Sequence, residues 1–107
     1  MSAHTYRITL EYAGGKAEGP DAPAPLSFGA DNHDNLFDII ANVRRSGMFD
    51  ADTAAALALG MKLFGEVMLQ HRQDPLFEGI AGPYREFIGQ FKAKMKEANA
   101  SNGSLDS

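Results

Sequence analysis

The sequence predicts an α+β fold: a two-stranded antiparallel β-hairpin packed on three main α-helices, with the middle helix central. Three observations predict it. Two early segments alternate apolar and polar residues with a period of two. Three later segments repeat apolar residues at helical spacing. Proline and glycine clusters separate these segments. The 107 residues amount to one domain, expected over residues 1–97, with a small, polar and disordered tail over 98–107.

His4, Tyr6, Ile8, Leu10 and Tyr12 point one way from the first segment and Thr5, Arg7, Thr9 and Glu11 the other, the signature of a strand with one buried face. Ala13 to Pro25 carries Pro20, Pro23 and Pro25, which cannot donate ladder bonds, and reads as a loop. Leu26 to Ala30 alternates again. A hairpin is the simplest pairing, and a lone hairpin is marginal in water, so helices are expected to cover its apolar face.

Asn32 is the expected N-cap of the first helix, with Asp34 in its first turn. Leu36, Ile39, Ile40 and Val43 form its apolar stripe, Arg44 and Arg45 suit its last turn, and Gly47 suits the position beyond its end. Asp50 caps a second helix that runs to about Gln73, before Pro75. Lys62, Glu66, Gln70 and Gln73 form a narrow polar stripe on it; Leu57, Met61, Leu63, Phe64, Val67 and Met68 cover the opposite side, and Ala54, Ala58 and Gly65 make a strip of small residues. A helix this apolar is expected to have partners on more than one side. Leu76 to Ile80 reads as a short turn or one helical turn. Pro83 opens a third helix at its first position, with Tyr84, Phe87, Ile88, Phe91 and Met95 on one face.

Tyr6 to Glu11, Asn32-His33-Asp34, the run Ala54 to Leu69, and Asp74-Pro75-Leu76-Phe77 together resemble a family of short bacterial proteins known only as a domain of unknown function (domain of unknown function 3861). The resemblance spans about His4 to Lys96 and is most specific in the central helix. It implies an α+β fold and no activity, substrate or catalytic residue.

Composition narrows the function classes. Cysteine is absent, which excludes disulfides, thiolate metal sites and a cysteine nucleophile. The net charge is −4. Up to Gly60 there are four basic and eight acidic residues, and six of each from Met61 onward. Neither half has the basic excess of a nonspecific nucleic-acid binder, and Lys92, Lys94 and Lys96 read as a solvated helix end. No signal peptide or membrane-spanning run is recognisable, so neither nucleic acid nor membrane is an expected partner, and the expected compartment is the cytoplasm.

The titratable residues offer little chemistry. His33, Asp34 and His71 are the polar groups that would line a cleft between hairpin and helices in a small enzyme or small-molecule-binding protein, yet His71 reads more simply as a partly buried histidine closing the core. Asp34 and Asp38, four apart, lack the loop of a cation site and read as first-turn charges. Gly14-Gly15-Lys16 lacks the spacing of a phosphate loop. No catalytic, cofactor or metal residue is assigned and no cofactor is expected. The preferred expectation is a noncatalytic interaction or regulatory module whose partner is a second copy (a homodimer) or another protein. Its expected contact surface is Ala54, Ala58, Met61, Gly65 and Met68, where small residues admit a neighbouring helix and methionines adapt to it.

Overall fold

The computed structural model describes residues 3–15 and 22–106, the last six by backbone alone. The fold is α+β, with two antiparallel strands followed by three helices. By internal contacts the chain divides into two compact units, Met1–His33 and Asp34–Ser107. No helix among the described residues is long and apolar enough to cross a membrane.

The first unit is the hairpin. Strand β1 (His4–Leu10) pairs with β2 (Leu26–Asn32) in a register that sets Tyr6 opposite Ala30, Ile8 opposite Phe28 and Leu10 opposite Leu26. The apolar alternation of the two strands therefore falls on one face. On the other face Thr9 and Ser27 join their hydroxyls at 2.9 Å. Burial along the apolar face is graded: Asn32 is buried, Tyr6, Ile8 and Ala30 are half-buried, and Leu10, Leu26 and Phe28 are exposed. Of the connecting loop, residues 16–21, with Lys16 and Pro20, lie outside the described residues.

Asn32 is the last residue of β2, paired with His4, and does not cap a helix. The cap is Asn35, whose side-chain oxygen accepts from the amides of Phe37 and Asp38, and helix α1 spans Leu36–Ser46. Both asparagines suit the position by type; pairing in the ladder holds Asn32 in extended backbone and moves the helix start on by three residues. Asp34 consequently stands outside the first turn, which Asp38 occupies. Gly47, at φ 74°, ends α1 in the left-handed conformation and donates to the Arg44 carbonyl.

Helix α2 spans Ala51–Gln70 and is followed by a short 3-10 turn at Pro75–Phe77, which Asp74 caps by accepting from the Leu76 amide. Helix α3 spans Ala81–Asp106. Pro83 lies within its first turn, where no amide donor is needed. Residues 98–106, assigned by composition to a tail, continue α3: the single Gly103 adds a cost to propagation but no stop.

The core is small. Val43, Ala54 and Ala58 are fully buried together, with Ile39, Ile40, Phe91 and Met95 packed around them. Helix α1 contacts both α2 and α3. Helices α2 and α3 meet through Tyr84, whose ring lies against Gly65 and whose hydroxyl donates to the Met61 carbonyl. Full burial on α2 is thus confined to Ala54 and Ala58 on one side of its N-terminal half, where alanines let α1 approach.

Candidate functional site

Of the residues expected to form a polar site, Asp34 and His71 lie apart within the helical unit. His33 is exposed at the end of the hairpin unit. Asp34 forms an ion pair with Lys62 of α2. His71 is exposed, not partly buried: it ends α2, its amide donating to the Val67 and Met68 carbonyls. Nine residues separate Lys62 from His71, about 13 Å of helical rise, so the carboxylate that Lys62 holds is remote from the imidazole. Among the described residues no three histidine, cysteine, aspartate or glutamate side chains group as metal ligands.

The residues expected to form a contact surface are largely engaged inside the chain. Ala54 and Ala58 are buried in the core, Gly65 faces the Tyr84 ring, and Met61 supplies the carbonyl that the Tyr84 hydroxyl uses. Met61, Gly65 and Met68 are all half-buried. Burial also raises the Tyr84 hydroxyl above its ordinary pKa of 10.0.

The open side of α2 lies elsewhere. Thr53, Ala56, Gly60, Phe64 and Val67 follow one another at steps of three and four, the spacing of one helix face, and all are exposed. None carries a charge. Phe64 is 39% and Val67 47% exposed, unusual for residues in the middle of an apolar helix. One edge of Phe64 is engaged: its ring meets Tyr84 at 5.2 Å and Phe77 at 6.0 Å, both edge-on. That contact joins the stripe to the 3-10 turn and the start of α3, where Leu76, Ile80 and Phe87 are exposed as well. Of the expected polar stripe, Lys62, Glu66 and Gln70 lie on α2 beside it, Gln70 donating to Glu66 at 3.1 Å, while the helix ends before Gln73. Sequence periodicity finds Phe64 and Val67 but assigns them to the interior; the missed signal is Gly60, a glycine inside a helix with no turn to serve.

The hairpin carries a separate apolar patch where Leu10 and Leu26 are exposed beside Tyr12 and Pro23. In the helical unit, packing of α1 on α3 sets Arg45 beside Lys92 and Lys96 around an open hollow of about 460 Å³. Arg45 is held there by Asn42, at 3.0 Å.

A family model described as a domain of unknown function with solved structure (DUF3861) matches residues 4–93. Among solved structures, a protein of unknown function from Pectobacterium atrosepticum is similar at 36% sequence identity, over 86% of this chain and 99% of that one, with a TM-score of 0.73. No curated protein matches the chain.

Proposed function

Because the chain belongs to the DUF3861 family, described as a domain of unknown function, no activity comes with its membership, and from the chain's own surface we propose a noncatalytic interaction module that self-associates. One observation carries the reading: the apolar surface on the C-terminal half of α2 and on the segment after it is left open by the helical unit's own packing. Phe64, Val67, Leu76, Ile80 and Phe87 are all exposed there. From their exposures this amounts to roughly 450 Å² of apolar surface, similar to the apolar share of one side of a standard interface. It lies within the range of the largest patches on monomers, which are themselves often functional. We assign the same cytoplasmic setting expected from the sequence.

Light scattering after size exclusion tests the reading. The expected result is a mass rising from one chain toward two between about 1 and about 100 µM, the range a small interface supports. Val67→Glu should hold the chain monomeric without unfolding it, since Val67 is open in the isolated chain. A single-chain mass for the unsubstituted protein at every concentration would refute self-association.

A further inference from the structure

We propose that the partner is a second copy of this chain bound across a two-fold axis at Gly60, with the two α2 helices crossing antiparallel. The inference rests on the self-association reading above and specifies its geometry. Its starting point is Gly60, near the middle of α2 and exposed. The residue has no positive φ, and a Cβ built on it meets nothing within 4 Å. Neither a turn nor a neighbour within the chain requires a glycine here, although glycine weakens a helix interior. What a bare backbone at this point does permit is close approach by another helix.

The stripe around Gly60 is arranged for such an approach. Ala56 and Phe64 lie four residues to either side, and Thr53 and Val67 seven to either side. An antiparallel two-fold pairs position 60−n with 60+n of the other copy. Phe64 then stands over Ala56 of the second copy, large against small on both sides of the axis, and Val67 over its Thr53, a pair of similar size. A parallel crossing would instead set Phe64 against Phe64 and hold the helices apart where glycine lets them close. No charge of the stripe is buried in either copy. Gly89 of α3 also has open space around its Cβ position, but it sits on the helix side that carries Arg85, Lys92 and Lys96. The stretch from Thr53 to Val67 rises about 21 Å, a short seam by itself. The exposed Leu76 and Ile80 widen it at the Phe64 end.

The chain has no cysteine, so single introduced cysteines report register without interference. Under mild oxidation of the full chain, Gly60→Cys should cross-link to a covalent dimer. Ala56→Cys and Phe64→Cys should cross-link when mixed and not separately, because like positions in an antiparallel pair lie about 12 Å apart along the axis, beyond disulfide reach. Gly60→Ala provides a second readout: roughly 4–8 °C higher melting temperature at monomer concentrations, from helix propensity alone, with dimer affinity at least about ten-fold weaker. A dimer by light scattering in which Ala56→Cys cross-links to itself, or Gly60→Ala leaves affinity unchanged, would overturn the antiparallel crossing at Gly60 and leave self-association standing. A monomer at every concentration would overturn both.

Discussion

Replacing Tyr84 by phenylalanine tests the contact through which α2 and α3 meet. The hydroxyl donates to the Met61 carbonyl, which the helix already uses for its own i to i+4 bond. The deletion therefore leaves no unpaired carbonyl, and its cost should be near the net value of one hydrogen bond, about 1 kcal/mol. The ring itself is retained against Gly65 and against Phe64 at 5.2 Å. Tyr84→Ala removes the ring too, and should cost about 2–3 kcal/mol, below the range for a fully buried aromatic because this one is partly open. The same pair separates in pH. Burial raises the tyrosine above its unfolded value of 10.0, so its contribution is complete below pH 10 and is lost as pH rises through the higher folded value. The unsubstituted chain should lose stability above pH 10 more steeply than Tyr84→Phe, and the difference should be shallow, since the side chain is only partly buried. Urea melts followed by circular dichroism, at pH 7 and at intervals above pH 9, measure both effects. Equal midpoints for the unsubstituted chain and both variants would refute the claim that Tyr84 ties α2 to α3.

Two further substitutions probe the helical unit. Asn35→Ala should lower stability by about 1 kcal/mol, because the amides of Phe37 and Asp38 lose their acceptor, whereas Asp34→Ala, outside the first turn, should cost about 0.5 kcal/mol and lose its effect in high salt; thermal melts at two salt concentrations distinguish them. Ala58→Leu should destabilise by about 1–3 kcal/mol through overpacking against Val43, read as a lower urea midpoint, while Ala56→Leu on the open side should leave the monomer's midpoint nearly unchanged.

Local structure was legible where a residue's own chemistry decides it. The alternation in His4–Leu10 and Leu26–Asn32 is realised as one apolar face, and Gly47 ends α1 in the conformation that glycine accommodates best. The ion pair of Asp34 was not legible, because its partner Lys62 lies 28 positions away in the sequence. The choice between Asn32 and Asn35 as cap also depended on strand pairing, a contact between distant residues.

The sequence by itself determined the order of elements, the absence of thiol chemistry and an apolar middle helix. Only the tertiary structure decided which side of that helix is buried. Helical periodicity places Ala54 and Ala58 on one side of α2 and Phe64 and Val67 on another, and both sides are apolar, so no spacing rule ranks them. The alanines went inside because their small side chains let α1 close onto the helix around Val43, and the larger residues were left facing outward beyond the reach of α1.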